Sequence, residues 1–213
     1  PTYPDSSTSS HAKAIAGKYS ISLSPVIEAC FRMETPKTLG NVETIVTGSV
    51  RELRAAAAEA CNALGYMPYI LTDSLNCEAR EAGAFLAAIA RAHQNTDRSL
   101  AFLAGGETVV HLTGSGMGGR NQELALSAAE GIAGLRDTAV FSIGSDGTDG
   151  PTDAAGGFVT GQTKDDLGKK GIQIFDVLKN NDSYHALKLC DGLLHTGATG
   201  TNVNDVAVLL IRR

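Results

Sequence analysis

An apolar run, Thr138-Ala139-Val140-Phe141-Ser142-Ile143, leads without a break into Gly144-Ser145-Asp146-Gly147-Thr148-Asp149-Gly150-Pro151-Thr152-Asp153-Ala154-Ala155-Gly156. The run reads as a buried strand. The segment after it is too rich in glycine, proline and aspartate for helix or sheet. In open α/β sheets, ligands bind at loops beyond the carboxyl ends of strands. Three aspartates in eight residues suit a hard cation such as Mg²⁺, which prefers oxygen donors and accompanies phosphate. The alternative is that these Asp-Gly pairs only form turns.

The rest of the chain supplies the partners of such a strand. Residues 1–10 read as a loop, with Ser9 or Ser10 capping a short helix over 11–18. A second short helix follows Pro25. From Asn41 the pattern becomes regular. Residues 43–47 are a candidate strand. Ser49 caps a helix over 50–64 with Glu52 in capping-box position, and Gly65 stops it. Residues 67–72 form a second strand, and 79–93 a further helix. Two strand-like runs, 100–104 and 107–113, flank Gly105-Gly106 and predict a hairpin, with His111 half-exposed on its second strand. Residues 121–135 read as a helix with Leu124, Ala125, Ala128 and Ile132 on one face. Short helices occupy 164–195, and Val206 to Ile211 suit a buried strand. The expected fold class is α/β: a mixed, mainly parallel open sheet with helices on both faces.

Composition narrows the function. The net charge of −5 over 213 residues and the absence of a Lys/Arg cluster argue against nucleic acid. No apolar run approaches a membrane span, and the first residues do not read as a signal peptide. Cys30, Cys61, Cys77 and Cys190 form no C-x-x-C pair and have no His at metal-ligand spacing. They read as reduced, mostly buried thiols of a cytoplasmic protein, with Cys61 in the core. The chain opens on Pro1 within a polar, proline-bearing connector. It is therefore expected to be the C-terminal part of a longer protein, with leader processing as the alternative.

Gly114-Ser115-Gly116-Met117-Gly118-Gly119 matches G-x-G-x-x-G between a predicted strand and a helix. A dinucleotide site would use it that way, with Asp146 as the ribose-binding acid. A phosphate cradle fits as well: glycines admit backbone N–H groups to an anion, and a helix N-terminus favours negative charge. Arg120, Asn121 and Gln122 follow at that terminus, and arginine supplies a planar fork for phosphoryl charge. Neither a Walker A sequence nor a nucleophile elbow occurs. A third polar loop, Thr196-Gly197-Ala198-Thr199-Gly200-Thr201-Asn202-Val203-Asn204-Asp205, offers donors to phosphate or a small hydroxy acid. Asp182 reads as the cap of a helix over 184–189.

Taken together, Gly105-Gly106-Glu107-Thr108, Gly118-Gly119-Arg120-Asn121-Gln122-Glu123-Leu124-Ala125-Leu126, the 145–156 loop, Asn181-Asp182-Ser183-Tyr184 and the 196–205 loop resemble the MOFRL domain of type II glycerate 2-kinases. Members are often labelled hydroxypyruvate reductase. The resemblance spans nearly the whole chain but about the second half of a family protein. It implies a domain over 41–213. Residues 1–40 would be the tail of a missing Rossmann-like N-terminal domain, or the crossover from it. That domain is the implied partner and carries a lysine thought to be catalytic. The implied reaction is phosphoryl transfer from ATP to D-glycerate, giving 2-phosphoglycerate, in a cleft that the isolated half cannot complete. By the same resemblance, Arg120, Asp149 and Asp153 are the candidate catalytic residues. Gly116, Gly118, Gly119, Asn121, Asn202 and Asn204 would bind ATP, and Asp146, Asp149 and Asp205 would hold Mg²⁺. An NAD(P)H-dependent hydroxypyruvate reductase and a non-catalytic fragment remain the alternatives.

Overall fold

The computed structural model describes residues 7–43, 45 and 47–213. Residues 1–6, Thr44 and Val46 lie outside it, and with them parts of the predicted 1–10 loop and 43–47 strand. Glu43, Ile45 and Thr47 are irregular. The chain forms two compact units that divide between Val46 and Thr47.

The first unit holds helices α1 (Ser9–Lys18) and α2 (Pro25–Cys30). Thr8 caps α1 and Ser24 caps α2. The α1 cap thus falls one residue before the expected serines. Neither helix buries a residue.

The second unit is a six-stranded sheet in the order β1-β2-β6-β3-β4-β5. The strands are β1 (Met67–Leu75), β2 (Leu100–Gly106), β3 (Thr138–Gly144), β4 (Gly156–Thr160), β5 (Leu193–Leu194) and β6 (Asp205–Ile211). The sheet is mixed and open, as expected. Its balance differs from the expectation: β1 and β2 pair in parallel, and every other neighbouring pair is antiparallel. Two of these antiparallel pairs come from β6, which inserts between β2 and β3 against their direction, and the other two join β4 to β3 and β5 to β4. Its continuous apolar sequence suits that central place. Ala207, Leu209 and Ile211 join the core on one face, and Val206 and Val208 join the core on the other.

Helices cover both faces. On one lies α3 (Val50–Ala63), capped by Ser49 and followed by Gly65 at φ +84°. Glu52 accepts a hydrogen bond from the Ser49 hydroxyl. Cys61 of α3 is in the core as expected, but Cys30 and Cys77 are exposed. On the other face, α4 (Ala79–Ala92) and α5 (Arg120–Ile132) pack together, with α6 (Thr163–Lys169), α7 (Ile174–Lys179) and α8 (Ser183–Leu189) beside α5. Leu124, Ala125, Ala128 and Ile132 are all fully buried.

The predicted hairpin after β2 does not form. Both edges of β2 are already paired, one to β1 and one to β6. The chain instead crosses the end of β1: Glu107 N–H donates to Leu75 O, and Val109 exchanges backbone hydrogen bonds with the Cys77–Ala79 segment. His111 is consequently an exposed loop residue. The short β4 and β5 escape sequence reading because Gly156-Gly157 has little strand preference and two residues carry no period. Their strand state comes from pairing, β4 along β3 and β5 along β4.

Candidate functional site

The polar loops gather at one end of the sheet. Leu75, Gly106 and Gly144 close β1, β2 and β3 there, and Asp205 opens β6. The register sets Asp205 between Gly106 and Gly144. The 144–155 connector and the 195–204 loop leave from the same end and are stitched together. Ser145 N–H donates to Asn204 O, Val203 N–H to Ser145 Oγ, and Thr199 Oγ1 to Ser145 O.

Arg120 opens α5 at this end. Its Nε donates to Asp205 Oδ2 at 2.5 Å and its Nη2 to Asp205 Oδ1 at 3.0 Å. Nη2 also lies 3.3 Å from Glu107 Oε1. This two-point grip fixes the plane of the guanidinium and raises its pKa further, so it stays charged. Nη1 makes no hydrogen bond among the described residues, and 29% of the side chain is exposed. Beside Asp205, Asp146 turns one oxygen to the Thr148 N–H. A Cβ on Gly144 would lie 3.2 Å from Asp146 Oδ1 and 3.4 Å from Asp205 Oδ1. The missing side chain thus leaves room for both carboxylates.

Asp149 has a different position from the one expected. It is 2% exposed. Its Oδ1 accepts from Asn121 N–H and Nδ2 at 3.1 and 3.3 Å, and its Oδ2 from Gln122 N–H at 2.8 Å. The N-cap of α5 is Gly119, which has no side chain to do this. A Cβ there would fall 2.3 Å from Asp149 Cγ. Asp149 is therefore the cap, supplied from another loop. Burial pushes its carboxyl up to about 6, while the hydrogen bonds from Asn121 and Gln122 pull the other way. With both oxygens committed, it is not a free metal ligand. Among the described residues, no group of three His, Cys, Asp or Glu is placed to hold a metal ion.

The glycine loop also differs in use. Its glycines fit protein first. A Cβ on Gly116 would strike Asn180 O at 2.6 Å and Asp182 Cβ at 2.4 Å, and one on Gly118 would strike Ser183 Oγ at 2.2 Å. The N–H groups of Thr113 to Met117 all donate to residues 180–182. Those of Gly118 and Gly119 have no partner among the described residues. Asn121 is buried, its Oδ1 accepting from Ser142 Oγ at 2.5 Å, so it faces the interior and not a ligand. Asp182 holds the N-cap position of α8 but gives no cap bond. It accepts from Met117 N–H instead. Asp153 bonds to Tyr184 Oη at 2.8 Å, which holds its carboxyl below the usual range. It is not among the residues lining the groove described next. Asn202 Oδ1 accepts from Asn204 N–H, a local turn within its loop.

A groove of about 740 Å³ runs from Val109 and Leu112, past the glycine loop, to Glu107 and Arg120. Its floor contains two residues that sequence reasoning left without a role, Glu123 and Asn181. The buried Asn181 amide is fully used. Oδ1 accepts from Thr113 and Gly114 N–H, and Nδ2 donates to His111 O and Glu123 Oε2. Burial raises the Glu123 pKa, opposed by the hydrogen bond from Asn181 and by Arg80. An aspartate at 181 would lose both donors and face Glu123. Asn181→Asp is expected to destabilise the fold by about 3 kcal/mol, read as a shift in the urea midpoint. Adding Glu123→Gln should restore most of it. Equal loss in both variants would show that the Asn181–Glu123 bond contributes nothing. The available signal in the sequence was Asn-Asn-Asp-Ser between two short helices, the pattern of a left-handed turn. Asn181 indeed has φ +54°.

Residues 100–205 match the MOFRL family. The chain carries a MOFRL domain. It is 49% identical to the D-glycerate 2-kinase of Thermotoga maritima over 99% of its length, and 40% identical to the glycerate 2-kinase of Pyrococcus horikoshii over 99%. A putative hydroxypyruvate reductase of Agrobacterium vitis is 37% identical. The chain spans 52%, 51% and 50% of these relatives, about half the length of each. The crystal structure of the Thermotoga maritima glycerate kinase superposes with a TM-score of 0.82 over 98% of this MOFRL chain and 51% of that protein. Among the described residues no helix is long and apolar enough to cross a membrane.

Proposed function

We propose that this chain is the MOFRL half of a cytoplasmic glycerate 2-kinase, which transfers a phosphoryl group from ATP to D-glycerate. The observation that carries the reading is Arg120. It is gripped at two points by Asp205, it keeps Nη1 uncommitted, and it stands at the mouth of a groove. A rigid guanidinium there can neutralise charge on a phosphoryl group in flight. The names of the relatives at 49% and 40% identity support the same activity.

The donor set fits Mg²⁺ that arrives on nucleotide phosphates. Such an ion is commonly held by one or two carboxylates plus phosphate oxygens, not by a protein cage. Asp146, with one oxygen uncommitted, is the candidate ligand, and Asp205 stands beside it. We assign Asp149 to holding α5 and hence Arg120. Gly118 and Gly119 are the loop residues whose N–H groups remain for phosphate. Asn202 and Asn204 would border the same cleft.

The reductase alternative has less support. A dinucleotide fingerprint needs a strand before the glycine loop and free N–H groups at the following helix. Residues 107–113 are irregular, and Asp149 takes the Asn121 and Gln122 N–H groups.

The missing half would complete the cleft. Residues 1–40 are assigned to its tail or crossover, because α1 and α2 bury nothing while Ile15, Tyr19, Val26 and Met33 are exposed. The test is product analysis on the full-length protein, with ATP, Mg²⁺ and D-glycerate in one sample and NADH and hydroxypyruvate in another. Formation of 2-phosphoglycerate is expected. NADH oxidation without phosphorylation would overturn the kinase reading.

A further inference from the structure

Val109 and Leu112 are 56% and 78% exposed, yet both line the groove that ends at Arg120. Large apolar side chains gathered in a concavity mark a ligand surface more often than a solvated one. Pro151 also lines the groove, but its neighbour Gly150 packs against Gly118 and Gly119 and so belongs to the other end. At the other end the character changes. Arg120 supplies a fixed positive charge with Nη1 open, and Gly118 and Gly119 have N–H groups to spare. Two carboxylates also line the groove: Glu107 is paired with Arg120, and Glu123 is buried and accepts from Asn181. The groove is therefore apolar at one end and anion-seeking at the other, with the volume of a small-molecule site.

D-glycerate has no apolar surface with which to cover Val109 and Leu112. A nucleoside triphosphate has both halves in the right order. We propose that the nucleotide lies in this groove, its base against Val109 and Leu112 and its phosphates toward Gly118, Gly119 and Arg120. The inference rests on the kinase reading and adds that the MOFRL half, not the missing half, holds the base.

The test is calorimetric titration of the full-length protein, in the presence of Mg²⁺, with ATP, AMP, inorganic tripolyphosphate and NADH. Leu112→Asp and the milder Leu112→Ala alter an exposed residue outside the core, so both variants should fold. Leu112→Asp should weaken ATP and AMP by about tenfold or more, the loss expected when one apolar side chain leaves a ligand wall. Tripolyphosphate should bind as before, and Leu112→Ala should show a smaller loss in the same direction. Unchanged ATP affinity in both variants would overturn the inference: the wall would then be covered by the rest of the protein. If wild type still forms 2-phosphoglycerate in that case, the kinase reading stands. Binding of NADH without ATP would overturn both.

Discussion

Replacing Arg120 with alanine in the full-length protein is expected to lower kcat by about a thousandfold or more, the range seen when an arginine is withdrawn from a phosphoryl transition state. The KM for glycerate should change far less, because the charge it meets develops only as the phosphoryl group moves. Arg120→Lys should recover little. A point ammonium cannot reproduce the Nε and Nη2 grip on Asp205 while presenting another donor to substrate. Steady-state kinetics on the three proteins decides this. A near-normal kcat in the alanine variant would remove Arg120 from the chemistry. A second effect accompanies the first. Asp205, only 8% exposed in its side chain, would lose its counter-charge, at a cost of about 1–3 kcal/mol. Rates should therefore be compared well below the melting temperature.

Asp149→Ala is expected to damage the fold about as much as Asn181→Asp does. It leaves the N–H groups of Asn121 and Gln122 without partners in a dry interior, at about 3 kcal/mol, or roughly a 10 °C fall in Tm for a domain of this size. Asp149→Asn separates charge from shape. In the unfolded chain this carboxyl ionises near 3.8, and in the folded protein at about 6. Between those values the folded state holds the extra proton. The associated stability is thus fully present below pH 3.8 and lost as pH rises through about 6, amounting to roughly 3 kcal/mol. The neutral amide has no such ionisation. Urea unfolding from pH 4 to 7 should show a declining contribution in wild type that is absent in Asp149→Asn. The same slope in both proteins would place the titration elsewhere.

These two residues also show how far a sequence can be read. The place of Arg120 was legible, because it follows a glycine run and opens an apolar-faced helix, and the structure puts it there in an ion pair with Asp205. The central strand β6 was legible from six consecutive apolar residues, and α3 from its cap and stop. Helices on both faces followed from the spacing of such elements. Asp149 looked interchangeable with Asp146 and Asp153, since all three occupy similar Asp-Gly or Asp-Ala contexts. Tertiary structure separated them. Asp149 went inward as a helix cap, Asp153 went to Tyr184, and Asp146 kept an oxygen open beside Asp205. Local sequence dictates where a chain turns, but the partner of a buried carboxylate lies 27 or 28 residues away. The antiparallel insertion of β6 and the lost hairpin have the same origin. Which edge of β2 is free depends on a strand about a hundred residues later, and no local pattern records that. By itself the sequence determined the main helices and strands, the places of the polar loops and the MOFRL signature. Packing decided which of the polar residues hold the scaffold and which stay open to the groove, because burial and hydrogen-bond partners are properties of the folded neighbourhood and not of the residue.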